Sequence, residues 1–177
     1  MLPEWGDEFV KNMIEKAGEN LAEMGRSGAA PLRGRCVVVE LGRRYRFAAS
    51  HRLHTDELSE EENSRVFGKC NNPYGHGHNY VLEVAFSGEV DEATGMIANL
   101  GDLDAFVERE VLEPFDHRSL NQDVAVFHRI VPTTENLCIE IYERLKKFPG
   151  AKLERVRVQE TSNNSFEYAG EKGRERP

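Results

Sequence analysis

HGHNYVLEVAFSG, residues 76–88, decides how the chain is built. Tyr80, Leu82, Val84 and Phe86 alternate with Val81, Glu83, Ala85 and Ser87, the period of a strand with one buried face. His76 and His78 share the parity of that face. Residues two apart point the same way along a strand, whereas in a helix they lie roughly 200° apart. His-Gly-His therefore presents two imidazoles to one ligand only from extended chain. Gly75 and Gly77 are expected to leave room there for a metal or ligand to approach the backbone.

Upstream, CVVVELGRRYRFAASH, residues 36–51, is rich in β-formers, and Tyr45, Phe47, Ala49 and His51 share one parity. His51 would end the apolar face of that strand. If the two strands pair, His51, His76 and His78 complete a three-imidazole site, and three nitrogen ligands with an open position is the layout of a catalytic zinc ion. His54 competes as third ligand but lies in the polar stretch after the strand and is read as solvated. His128 has no partner in sequence and is read as structural.

Further along, Ser59 with Glu62 makes a capping box for a short helix. NLGDLDAFVEREVLEPF, residues 99–115, carries Leu100, Leu103, Phe106 or Val107, and Val111 at helical spacing, with Pro114 expected to close it. PTTENLCIEIYERLKKF, residues 132–148, is a second amphipathic helix, and LERVRVQE, residues 153–160, is a last strand. Strands, two helices and a strand give an α+β order: a mainly antiparallel sheet with helices on one face. Its open edges suit oligomerisation through strands. Before this domain, residues 1–35 read as a helical extension and linker, with Trp5, Phe9, Met13, Ala17, Leu21 and Met24 at helical spacing; residues 173–177 read as a disordered tail.

The 177 residues are enough for one domain without a staple, and 39% hydrophobic with 31% charged residues is ordinary for a globular chain. A formal charge of −8 argues against a nucleic-acid partner held by whole-surface attraction. No apolar run approaches the roughly 20 residues of a membrane span, and the first residues lack the order of a secretory signal, so a cytoplasmic protein with no membrane partner is expected. Three cysteines form no disulfide framework and suit a reducing compartment.

Cys70, among Lys69, Asn71, Asn72 and Pro73, lies in a polar turn where a thiol is accessible. As a fourth ligand it would close the coordination shell and make the site structural; as a free thiolate it would be a base or nucleophile beside an open metal. Cys36 and Cys138, on apolar stripes, read as buried. Asp116 and His117 could form a general acid–base unit, although adjacent residues rarely bond each other directly. Glu160 falls on the apolar parity of the last strand. A buried carboxylate there could accept two parallel N–H bonds from a 2-amino-pyrimidinone edge. Thr133, Thr134 and Glu135 read first as a helix start and second as a ligand-contacting turn. Arg43, Arg44, Arg46, Arg52 and Lys69 are solvated charges, some of which could hold a phosphate.

FAASHRL, FGKCNNPYGHGHNY, DEATGMIANLGDL, EPFDHRSLN, PTTENL and VQETSNN, in this order over about residues 36 to 172, together resemble the 6-pyruvoyl-tetrahydropterin synthase family. The resemblance implies the tunnelling fold, a four-stranded antiparallel sheet backed by two helices, closing into barrels as trimers and stacking into a homo-hexamer. It implies zinc on His51, His76 and His78, with Cys70 as the catalytic thiolate and Asp116 and His117 as its proton relay, reaching it across a subunit boundary. Glu160 would anchor the pterin ring beside Thr133, Thr134 and Glu135. The implied activity is that of a carbon–oxygen lyase of tetrahydrobiopterin biosynthesis, eliminating triphosphate from 7,8-dihydroneopterin triphosphate. Magnesium would accompany the triphosphate.

Within the same fold, 6-carboxy-tetrahydropterin synthase of deazaguanine biosynthesis is the main alternative. That branch typically has three residues between the cysteine and His-Gly-His; here NNPYG intervenes, as in the pyruvoyl branch. Tyr74 stands where asparagine is common, and QETSNN replaces the more usual YETDNN. A non-catalytic zinc-binding module, with Cys70 as closing ligand, is the alternative of another class.

Overall fold

β1 (Val38–His51) and β2 (His76–Glu89) form an antiparallel ladder along their whole length, from Val38 opposite Glu89 to His51 opposite His76. This is the spine of the computed structural model, which describes residues 37–171. The expected helical extension at 1–35 and the tail at 173–177 lie outside the described residues.

Beyond β2 the sheet continues through β4 (Lys152–Gln159) to β5 (Ser165–Tyr168), both antiparallel, while β3 (Arg118–Ser119) pairs parallel with β1 at Ala49 and Ser50. The sheet thus has five strands in the order β3-β1-β2-β4-β5, not the four expected. β3 spans two residues and β5 four, too short for alternation to show in sequence. A bulge opposite Ala85 and Phe86 inserts Glu154 into β4, which brings Leu153 to the same face as Val156 and Val158.

That face carries Phe47, Tyr80, Leu82, Val84 and Phe86 into one core with the helices. α1 (Glu60–Phe67) begins at the expected capping box, Ser59 with Glu62. α2 (Leu100–Val107) passes through a π-turn (Glu108–Leu112) into α3 (Glu113–Phe115). Pro114 lies in α3, and the helical run ends one residue later at Phe115, close to where it was expected to close. Leu103, Val107, Val111 and Phe115 are all fully buried at four-residue steps. At 3.6 residues per turn such steps drift by about 40° each. The wide turn absorbs the surplus and returns Phe115 to the core, while Arg144 Nη1 donates to the Glu110 carbonyl at 3.1 Å. Leu100, expected on the apolar stripe, is exposed. After α4 (Leu120–Asp123), α5 (Thr134–Leu145) packs Leu137, Cys138, Ile141 and Leu145 onto the same core.

Candidate metal centre and active site

At the end of the β1–β2 ladder, His51 faces His76 and Ala49 faces His78, so the three imidazoles gather on the core side of the sheet. Their ligand atoms lie within 4.8 Å of one another. His51 Nδ1 donates to the Pro132 carbonyl at 2.8 Å, which fixes the proton there and leaves the Nε2 lone pair free. That Nε2 sits 3.1 Å from His76 Nε2. Two nitrogens about 2.0 Å from a shared tetrahedral ion would be about 3.3 Å apart. His76 Nδ1 and His78 Nε2 are buried without a hydrogen-bond partner. Burial, reinforced by the neighbouring imidazoles, holds His51 and His76 below the ordinary histidine range. Neutral, converging and underbonded nitrogens are what a metal ion requires.

The glycines serve a different purpose from the one expected. Gly75 takes φ +68°, and a Cβ there would stand 3.0 Å from the His51 carbonyl. The missing side chain makes room for the β1 backbone, not for a ligand, and Gly77 makes only ordinary contacts.

Glu160 follows β4 and turns its half-buried carboxylate toward the imidazoles, with Oε1 3.6 Å from His78 Nε2 and 3.8 Å from His51 Nε2. Thr134 Oγ1 donates to Oε1 at 2.6 Å and Asn164 Nδ2 to Oε2 at 2.8 Å. Burial would raise this acid, but those two bonds and the nearby histidines outweigh it and hold Glu160 below the usual glutamate range. Thr133 caps α5 through its side chain, whereas Glu135 is exposed in the first turn.

Cys70 is half-buried in a 3₁₀ turn (Gly68–Asn71), close enough to bear electrostatically on Tyr80. The Tyr80 ring, with its hydroxyl buried, lies 5.5 Å from the ring of His78 between centroids. Cys138 is buried as expected and Cys36 lies outside the described residues.

Asp116 and His117 do bond each other, against expectation: His117 Nδ1 meets Asp116 Oδ2 at 2.9 Å. His117 achieves this at φ +56°, a left-handed conformation that among the described residues only it and four glycines adopt. Both residues dock on Ala48 of β1: the Ala48 amide donates to Asp116 Oδ1 at 2.7 Å and the His117 amide to the Ala48 carbonyl at 2.6 Å. The His117 ring is 81% exposed, and no hydrogen bond joins this pair to Cys70 or the three imidazoles. The pair sits at the edge of β1, where His117 borders a cavity of about 380 Å³ together with His78.

His54 is not merely solvated, as expected; its ring packs against Arg52 and Asn71. His128 Nε2 lies 3.1 Å from the Gln122 carbonyl, in agreement with a structural reading. A cavity of about 530 Å³ opens beside His51, bordered by Arg52, His128, Pro132 and Tyr74, the last 96% exposed. Asn71, which follows Cys70 and bonds Arg52, and Asn164, which donates to Glu160, were not singled out from sequence; only their position beside motif residues could have drawn attention to them.

An α+β fold in which one buried and two half-buried imidazoles converge beside a carboxylate defines a protein equipped to hold a metal ion. A profile of the family described as 6-pyruvoyl tetrahydropterin synthase matches residues 40–171. The chain is 48% identical over 139 residues to 6-pyruvoyl tetrahydrobiopterin synthase of Homo sapiens, covering 78% of this chain and 96% of that protein. The Dictyostelium discoideum enzyme of the same name is 47% identical over 136 residues, covering 76% and 98%. The solved structure of Caenorhabditis elegans 6-pyruvoyl tetrahydropterin synthase superposes with a TM-score of 0.73 at 44% identity, covering 77% of this chain and 99% of that one. The chain belongs to the 6-pyruvoyl tetrahydropterin synthase family.

Proposed function

We propose that the chain is a 6-pyruvoyl-tetrahydropterin synthase, a lyase that eliminates triphosphate from 7,8-dihydroneopterin triphosphate and rearranges hydrogens internally, in tetrahydrobiopterin biosynthesis. The observation that carries this reading is the convergence of His51, His76 and His78 beside Glu160 in a chain 48% identical to the human synthase over nearly that protein's full length. The carboxy-forming alternative is not favoured, because relatives covering most of this chain bear the pyruvoyl name.

Zinc suits three imidazole donors with an open position, and when bound it supplies Lewis acidity toward the hydroxyl-bearing side chain of the substrate. Glu160 binds the pterin. Each of its oxygens accepts one protein bond and retains a lone pair, so the carboxylate can still receive the paired N–H groups of the ring. Thr134 keeps that carboxylate in place, with Thr133 and Glu135 at the same helix start. Cys70, as a thiolate, takes a proton from substrate carbon.

Asp116 stays ionised. The Ala48 amide, ahead of the bond with His117, holds its acid below the usual range. It keeps the proton of His117 on Nδ1, so Nε2 can accept and return protons. With no hydrogen bond joining the pair to Cys70 of its own chain, the relay is completed by another copy, as the family resemblance implies. Open edges of β1 and β5 favour closure of a barrel, and a hexamer of two trimers follows the family pattern. Magnesium would accompany the triphosphate. Free thiols suit a reducing compartment such as the cytoplasm; no helix of the described residues is long and apolar enough to cross a membrane.

Mass-spectrometric analysis of products from the zinc-loaded chain and 7,8-dihydroneopterin triphosphate tests the proposal. A pyruvoyl product that is lost on chelation and in Cys70→Ala is expected. A carboxy product would move the chain to the other branch, and no turnover would leave a binding module.

A further inference from the structure

We infer that Arg52 and Asn71 are positioning residues that fix the Cys70 thiol relative to the imidazole cluster, a role that rests on the synthase reading. Arg52 and Leu53 directly follow the ligand candidate His51 and run beside Cys70 and Asn71. The Leu53 amide donates to the Cys70 carbonyl at 2.9 Å. Arg52 Nε donates to the Asn71 carbonyl at 3.2 Å and Nη2 to Asn71 Oδ1 at 3.1 Å. Two residues next to a candidate metal ligand thus hold the main chain on both sides of the thiol's peptide link. The clasp is itself anchored: the Arg52 amide donates to Asn121 Oδ1 at 2.7 Å, and Asn121 Nδ2 donates to the Arg52 carbonyl at 3.0 Å.

Asn71 is 8% exposed, and a buried amide whose partners all lie in this clasp and α1 is costly to leave unpaired. His54 Nδ1 stands 3.2 Å from Arg52 Nη2 and 3.0 Å from Asn71 Oδ1. Arginine only donates and the amide oxygen only accepts, so either tautomer of His54 closes the clasp. The thiol otherwise rests on a single 3₁₀ turn, whose hydrogen bonds are poorly aligned. A lysine at position 52 would keep the charge but not the fork that serves two oxygens. Misplacing a reacting group by about 1 Å costs on the order of 100-fold in rate.

Arg52 also borders the cavity beside His51, so a direct role in holding substrate phosphates makes the opposite forecast, a raised KM. The zinc-loaded full chain and its Arg52→Lys, Asn71→Leu and Asn71→Asp variants are compared for kcat, KM, zinc content and the rate of iodoacetamide alkylation mapped to the Cys70 peptide. For Arg52→Lys and Asn71→Leu the clasp requires kcat to fall about 10- to 100-fold with KM within about twofold, zinc retained, and alkylation at least about fivefold faster. Asn71→Asp, which keeps the acceptor, should stay within about threefold of the parent in kcat and alkylation. A raised KM at unchanged kcat, kcat lost only in step with zinc, or alkylation unchanged in both disrupting variants would each overturn the inference. If the parent chain shows no turnover, the synthase reading fails, and zinc content with alkylation still decides whether the clasp holds the thiol; should Asn71→Leu not fold, Arg52→Lys against Asn71→Asp makes the same decision.

Discussion

His51 shows how a single side chain can be prepared for a ligand. Its Nδ1 proton is committed to Pro132, so Nε2 has only the cluster to serve. Glu160 is prepared differently: Thr134 and Asn164 each take one lone pair and leave one on each oxygen for a ligand. In Glu160→Gln an amide donor would replace one acceptor. A charge-assisted bond worth about 1.5–3 kcal/mol should be lost, raising KM about 10- to 150-fold while zinc content stays unchanged. Steady-state kinetics on both proteins checks this, and an unchanged KM would remove Glu160 from ring recognition. The gathering of the three histidines was legible because period-two parity survives folding of a long ladder. Asp116 and His117 were only half legible: the dipeptide is visible, but its internal bond depends on a positive φ that no spacing announces. His54 was misread as solvated because its partners, Arg52 and Asn71, come together only when the Cys70 turn folds back on the end of β1.

Among the elements, α2 to α3 shows the most direct link from sequence to site. Four-residue spacing of Leu103, Val107, Val111 and Phe115 cannot stay on one face of a regular helix, and the π-turn restores it. The turn also sets where Asp116 emerges. Deleting Arg109 from the turn would change the spacing of these four side chains to four, three and four residues, which a regular helix keeps within about 60° of one another. Phe115 should stay in the core, with a stability change below about 1 kcal/mol by urea unfolding. A loss approaching the roughly 3–5 kcal/mol of Phe115→Ala would mean that the wide turn is needed for more than register. Long strands and both amphipathic helices were readable from their periodicity. β3 and β5 were not, because two and four residues give the pattern no room, and the bulge at Glu154 shifts parity inside β4.

For the whole molecule, the tie between sheet and helix at Arg43, Tyr45 and Asp104 should appear in the acid response. Arg43 bonds Asp104 through Nε at 3.1 Å and through Nη2, and the Tyr45 hydroxyl donates to it at 2.7 Å. Those bonds, Arg43 first, hold the Asp104 acid below its usual range. A depressed acid stabilises the fold fully above its unfolded value, about 3.9, and loses that contribution as pH falls through its lower folded value. The stability advantage of the parent over Asp104→Asn should therefore be constant above about pH 5 and shrink below about pH 4. Denaturant midpoints across that range test it, and an advantage that persists at pH 2 would contradict it.

At this scale the central claim is that three imidazoles hold the metal while Cys70 stays free to react. Zinc K-edge X-ray absorption on the zinc-loaded chain reads this directly. The account predicts a shell of nitrogen and oxygen at about 2.0 Å with no sulfur; a sulfur scatterer at about 2.3 Å would make Cys70 a ligand and the site structural.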